Sequence, residues 1–364
     1  MGKIDITLHA GDFSGGGVSP SAVTDGSATV PNLTWAKLLH AACTVGKPSN
    51  PFLRTHRNFS LFDWIFRWSL IQAHLEVAST KRIVRSGVLK SLEPTEKVAV
   101  AYFLGMALTK LIADEKLGIP ALIHMHTFTK GKNVTPDLLG ESFGPHTRHE
   151  WFCFEAKGST NRSEKRQMNE ALYQLGKGTL IRKGVPLPGK AVPNVVDGTG
   201  SPIKFVAGVA SASCFSGPQD VLEVHWRDPE LRYDREGRKV VISDDNFWMS
   251  YYGRIFNLFE GRHVTYMDHH GANEPIATIQ LGDGGMKVGV LQSLYNLRDK
   301  SGEALKGVVS IHAERTYSER TAAVDAQSKT EATADNSYLG SDGVYIELLP
   351  FRKMKEVMND ASPM

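Results

Sequence analysis

Cysteine is scarce in this 364-residue chain: Cys43, Cys153 and Cys214 are the full set. The count is odd, the spacings are wide and no C-x-x-C occurs. That excludes a disulfide framework and a cysteine zinc centre, and it predicts a reducing, cytoplasmic setting. Long hydrophobic runs are missing too. The longest, VAVAYFLGMAL at 98–108, is too short to cross a bilayer and reads as a buried helix, so no membrane partner is expected. The opening MGKIDITLHAGDF has no apolar stretch of the signal-peptide kind, and Ile6 stands where a myristoylation motif calls for Ser or Thr. Neither sign of charge dominates: 42 Lys and Arg against 39 Asp and Glu leave +3, which permits an anionic partner without demanding one. Phosphate-loop motifs are absent, since GDFSGGGVSP at 11–20 lacks the Gly-Lys-Ser/Thr ending and Pro48 displaces the hydroxyl residue in VGKPSNP at 45–51. The 13 histidines form no H-x-x-x-H or H-E-x-x-H.

What is present is an ordinary globular composition, 41% hydrophobic and 22% charged, long enough for two domains or one domain with large additions. Residues 10–32 read as loop. Helices are expected over 33–44 and 60–79, the second with Phe62, Ile65, Phe66, Leu70, Ala73 and Val77 near helical spacing, a pattern that favours core packing. A further helix fits 93–120, with Pro94 suited to its first turn and Gly118 and Pro120 to its end. Strands are expected at 121–128, towards the end of 131–142, and at 150–158. An amphipathic helix follows at 161–178, and a buried strand at 203–213. The order is α-β-β-β-α-β. Beyond 216 the segments DVLEVHW, KVVIS, HVTYM, ATIQL, GVVSIHA and GVYIELL read as strands, 246–260 as a helix, and 316–337 as polar and mobile. The expected fold class is therefore α/β, divided into a mainly helical 1–92, a core at 93–215 and a strand-rich 216–364.

The stretch EWFCFEAKGS at 150–159 combines aromatic residues with Glu155 and Lys157, a costly neighbourhood for charge. Side chains alternate along a strand. Phe152, Phe154 and Ala156 can then bury against a helix while Glu155 and Lys157 project together from the other face. Upstream, Pro136 holds its preceding residue extended, and a hairpin from TPDLLGES to 150–158 would bring Asp137 beside Glu155. Two carboxylates at close range repel unless a cation lies between them, and such hard oxygen donors suit Mg²⁺ or Mn²⁺. On the opposite reading, Glu155 and Lys157 are a solvated pair on an edge strand and Asp137 is a turn residue.

Pro136-Asp137, a gap, then Glu155-Ala156-Lys157, set in an α-β-β-β-α-β order over about 93–215, resembles the PD-(D/E)xK nuclease superfamily, the restriction-endonuclease-like fold. The resemblance implies a mixed-sheet core in which Asp137 and Glu155 hold Mg²⁺ or Mn²⁺ and Lys157 assists attack of water on a phosphodiester. It also implies a glutamine on the following helix. Gln174 is preferred to Gln167 because it lies nearer the next strand. Glu96 and Glu141 are further acidic candidates. The implied activity is a DNA endonuclease of a prokaryotic restriction, anti-phage or DNA-processing system. The alternative is a non-catalytic nucleic-acid-binding or assembly subunit, and the long flanks leave room for a homo-oligomer or partner subunit.

Arg162, Lys165, Arg166 and Lys177, followed by Arg182 and Lys183, cluster around the same helix. They make either a phosphate-backbone patch or a solvated face interspersed with Glu164 and Glu170. His124 and His126 share one strand face, His146 and His149 fall between the two carboxylate segments, and Asp268, His269 and His270 are adjacent. Most of these histidines read as surface or packed residues.

Overall fold

The computed structural model describes residues 3–13, 23–46, 57–125, 136–144, 151–160, 164–175, 190–192, 194–196, 199, 201, 206–229, 231–233, 239–281, 285–325 and 336–348. The chain begins with β1 (Ile4–Gly11), β2 (Gly26–Leu33), α1 (Trp35–Thr44), α2 (Arg57–His74), β3 (Leu75–Val77), β4 (Ile83–Arg85) and α3 (Gly87–Ser91). Next come α4 (Pro94–Leu117), β5 (Ile123–His124), β6 (Leu138–Glu141), β7 (Trp151–Gly158), α5 (Glu164–Leu175), β8 (Lys190–Val192), β9 (Asn194–Val196), β10 (Val206–Ser216) and β11 (Val221–Arg227). The remainder is β12 (Leu231–Tyr233), β13 (Lys239–Val241), α6 (Asp244–Phe256), β14 (Thr265–Met267), β15 (Ile276–Leu281), β16 (Met286–Leu291), α7 (Gln292–Asn296), α8 (Gly302–Asp325), β17 (Ser337–Leu339) and β18 (Val344–Leu348).

The protein is α/β. A nine-stranded mixed sheet runs β2-β1-β11-β10-β7-β6-β5, with β3 and β4 attached beside β11. A second, antiparallel sheet runs β14-β15-β16-β18-β17. Strand β7 lies inside the first sheet, antiparallel to β6 and parallel to β10. A strand covered on both faces reads as a continuous apolar run, as WFCF does here. β1 joins parallel to β11 from the other end of the chain segment. The large sheet thus draws strands from all three stretches that the sequence divides at 92 and 215, and the N-terminal stretch supplies four strands besides its helices.

Helix α4 is bounded as expected. Pro94 opens it and Gly118, at φ 63°, closes it in the left-handed region that glycine tolerates. It packs against β7 through two glycines: a Cβ on Gly105 would come within 2.9 Å of the Gly158 nitrogen, and a Cβ on Gly158 within 1.7 Å of the Ala101 carbonyl oxygen. The absence of side chains lets the helix backbone touch the end of the strand. At its far end α4 carries the buried Asp114, which accepts hydrogen bonds from Tyr317 Oη (3.0 Å) and Ser341 Oγ (2.7 Å) and pairs with Arg320 (3.1 Å). Burial alone would oppose ionisation there. The charges of Lys110, Arg320 and Lys37 outweigh it and hold the carboxyl below its ordinary value. This network ties the first sheet's helix to α8 and the second sheet.

Several local expectations change. The loop expected over 10–32 instead holds the end of β1 and most of β2, which pair antiparallel, as backbone pairing with a neighbouring strand overrides the turn-rich composition. GVVSIHA is not a strand but part of α8, because Leu305, Val309, Ala313 and Tyr317 are buried at four-residue spacing while Ile311 is exposed. Its β-branched residues favour a strand locally, and packing of one helical face overrides that preference. The segment expected to be mobile from 316 continues the same helix to Asp325, and 326–335 lie outside the described residues. Phe62 and Phe66 are 61% and 54% exposed, whereas Trp64, Leu70 and Ile71 supply the buried face of α2. The polypeptide leaves the helix at His74, so Val77 belongs to β3. Among the described residues no helix is long and apolar enough to cross a membrane, and Cys43, Cys153 and Cys214 are buried free thiols.

The glycine contact is open to test. Gly158→Ala should destabilise the fold by about 2–3 kcal/mol, since the added methyl meets backbone that cannot yield cheaply. Urea unfolding measures this, and a loss no larger than that of an exposed Gly→Ala change would contradict the close packing.

Candidate functional site

β6 and β7 pair with Leu138 opposite Phe154 and Leu139 opposite Cys153, which places Asp137 across from Glu155. The hairpin expected from the sequence forms, although residues 145–150 of its connection lie outside the described residues. Asp137 is fastened from both sides. Its Oδ2 accepts the Ala156 N–H at 3.0 Å, and its carbonyl accepts the Met125 N–H at 3.0 Å with His124 Nδ1 at 3.2 Å.

The alternation along β7 sorts its side chains as expected. On one face Phe154 meets Trp226, whose indole N–H donates to Ser211 Oγ, which in turn accepts from Thr109 of α4. Ala156 is in register with Ser211 on that face. On the other face Glu155 and Lys157 lie under α5. Lys157 Nζ donates to Glu155 Oε1 at 2.5 Å and to Gln174 Oε1 at 2.5 Å. The solvated-edge reading therefore fails: Glu155 has no exposed surface and Lys157 is largely covered, in the interior of the sheet.

Burial is the main force on Glu155, followed by the neighbouring charge of Asp137. Together they exceed the opposing pull of Lys157 and push its carboxyl up to about 8. Its second oxygen, Oε2, is shielded from solvent and accepts no hydrogen bond from the protein. Tyr102 of α4 stands near both carboxylates; burial, then Asp137, then Glu155, raises its phenol. A groove of about 650 Å³ opens beside this cluster, between α4 and α5 at the end of β7. Val98 and Tyr102 line one wall, Lys157 and Thr160 the floor, Arg166 and Gln167 the other wall.

Asp137, Glu155, Lys157 and Gln174 thus come together. Other candidates do not. Glu96 is exposed at the start of α4, where its Oε2 accepts the Glu93 N–H at 3.0 Å as a helix cap. Glu141 is buried but is held by Lys306 at 2.7 Å, a lysine that also reaches Asp244 at 3.0 Å. Burial, the larger effect, still pushes Glu141 up to about 7. Arg166 is exposed and pairs with Glu170 at 2.9 Å, and Lys165 is exposed on the same helix. Arg162, Lys177, Arg182, Lys183, His126, His146 and His149 lie outside the described residues. Asp268 and His270 are exposed, and His269 accepts the Gly271 N–H at 3.0 Å.

Tyr102 and the positioning role of His124 escape a reading by motif, because each acts from a neighbouring element. So does the meeting of His9 with Glu223 and His225, which exists only because β1 pairs with β11. Compared with protein-family models, curated proteins and solved structures, the chain matches none.

The state of Glu155 has a measurable consequence. Its raised value means that the folded, metal-free protein holds this proton more tightly than the unfolded chain. That contribution is fully present below the unfolded value of 4.5 and is lost as pH rises through about 8. Glu155→Gln, which cannot ionise, should gain stability relative to wild type between about pH 5 and about pH 9, by up to roughly 5 kcal/mol. Thermal or urea unfolding in chelator reads the difference; parallel profiles for the two proteins would contradict it.

Proposed function

We propose that this protein is a metal-dependent nuclease that hydrolyses phosphodiester bonds in DNA at the Asp137–Glu155–Lys157 cluster. The observation that carries the reading is the meeting of two carboxylates across β6 and β7, with Lys157 bridging Glu155 to Gln174 beside an open groove. With β8 and β9 set aside, since they pair with β12 and β13 outside the large sheet, the order α4-β5-β6-β7-α5-β10, antiparallel up to β7 and parallel from β7 to β10, supports taking this region as a restriction-endonuclease-like core.

The donor set fits a hard divalent cation. Asp137 and Glu155 offer carboxylate oxygens, and the unpartnered Glu155 Oε2 is a buried acceptor that a cation would satisfy. Bound Mg²⁺ or Mn²⁺ would supply a Lewis acid that acidifies water and offsets the carboxylate repulsion. The protein's own residues do the rest. The ammonium of Lys157 offers positive charge at the groove floor, where negative charge develops on a phosphate under attack. Gln174 fixes the direction of that ammonium from α5. Asp137 is held by backbone hydrogen bonds on both sides, so its carboxylate needs little reorganisation. Tyr102 and Val98 give the groove wall an apolar face, and Arg166 and Lys97, which also line it, offer charge to the phosphate backbone.

The test is cleavage of plasmid DNA in Mg²⁺ or Mn²⁺, with RNA and single-stranded DNA alongside. Asp137→Asn, Glu155→Gln and Lys157→Ala should each lower the rate by about 100-fold or more. Undiminished cleavage by folded, highly purified variants would remove the assignment. A wild-type protein that binds DNA through this groove yet cuts no substrate would instead be a non-catalytic binding subunit.

A further inference from the structure

We propose that His9, Glu223 and His225 form a second metal site, for a divalent transition-metal ion of the Zn²⁺ class. It stands apart from the nuclease reading and does not depend on it. β1 and β11 run parallel with His9 directly beside His225. Glu223, two residues earlier on β11, projects from the same face. The two imidazoles stack with centroids 4.5 Å apart and planes 13° apart. One ligand atom from each of the three residues lies within 4.8 Å of the other two.

The ring nitrogens are arranged for a cation. His9 Nδ1 lies 2.6 Å from Ser27 Oγ, and His225 Nδ1 lies 3.4 Å from Glu164 Oε1 at the start of α5. A carboxylate only accepts, so closing this contact to a hydrogen bond on metal binding would favour the neutral His225 tautomer that carries its proton on Nδ1. Outer partners of this kind orient histidine ligands in metal centres. Both Nε2 atoms are shielded from solvent, and neither makes a hydrogen bond among the described residues. Glu223 Oε2 stands 3.6 Å from His9 Nε2 and 3.8 Å from His225 Nε2, too far for hydrogen bonds. A tetrahedral centre with bonds of about 2.0–2.1 Å needs ligand edges of about 3.4 Å, so the two Glu223 edges shorten by a few tenths while the edge between the imidazole nitrogens, now within 4.8 Å, shortens further as the rings turn out of their stack. Two imidazoles with one carboxylate suit Zn²⁺, Co²⁺ or Ni²⁺ better than Mg²⁺, and three protein ligands leave a fourth position for water.

The two sites share a face of the sheet. Lys157 is in register with Ala212, and Ala212 with His225, so His225 lies two strands away, roughly 10 Å by strand spacing. Through Glu164 the metal would fix the start of α5, the helix that holds Gln174 over Lys157.

The experiment uses the untagged full chain, stripped of metal by chelator and titrated with Zn²⁺ by calorimetry and with Co²⁺ by visible absorption. In excess Mg²⁺, which occupies the carboxylate pair, wild type should bind one equivalent and give the strong Co²⁺ bands of a four-coordinate centre. H9A and H225A should weaken binding by at least about 100-fold. The double variant D137N/E155Q should bind as wild type does, which separates this centre from the carboxylate pair. Should H9A or H225A fail to fold, S27A and E164Q carry the test, each lowering affinity by about tenfold. No stoichiometric binding by wild type overturns the proposal. So does unchanged affinity in the folded variants, or binding lost in D137N/E155Q but kept in H225A.

Discussion

A carboxylate with no exposed surface, Glu155, occupies an interior strand of the large sheet. Burying a charge there is expensive unless it is paired, protonated or bound to a cation. Much of the surrounding architecture answers to that one constraint. Lys157, two residues on, supplies the nearest positive charge from the same face of the strand. Gln174 steadies it from α5. Asp137 approaches from β6 and adds repulsion, which Lys157 opposes without outweighing burial and repulsion together. Among the described residues the cluster leaves one buried carboxylate oxygen without a hydrogen-bond donor, the feature on which the proposed cation site rests.

The constraint reaches outward through packing. Helix α4 lies directly on the end of β7 because Gly105 and Gly158 remove the side chains between them. That contact brings Tyr102 towards the carboxylates and shapes one wall of the groove. The other end of α4 is anchored through Asp114 to Tyr317, Ser341 and Arg320. The C-terminal sheet and its helix therefore brace the element that frames the site. Glu141 does similar work from β6, tied to Lys306 of α8.

Much of the site was legible in local pattern. Strand parity alone separates Phe152, Phe154 and Ala156 from Glu155 and Lys157, and the period of α5 carries Gln174 rather than Gln167 to the lysine. Boundary residues were legible as well, as Pro94 and Gly118 are for α4. Other readings failed for physical reasons. GVVSIHA has strand-forming residues but a helix's buried spacing. Phe62 and Phe66 have core-like side chains on a face that stays more than half exposed, with Phe66 meeting only the edge of Phe103 among the described aromatic rings. Glu96 has the right charge at a position where capping the helix uses it.

The sequence by itself determined what depends on neighbours a few residues apart: strand faces, helix limits, and the pairing of a short hairpin that sets Asp137 opposite Glu155. Tertiary structure alone decided what depends on contacts between distant segments. The parallel pairing of β1 with β11 brings His9 to Glu223 and His225, and the passage of Lys306 across β6 claims Glu141. Periodicity records which side of an element faces inward. It carries no information about which other element will be waiting there, because that is fixed by sheet order and by the shapes that pack around it.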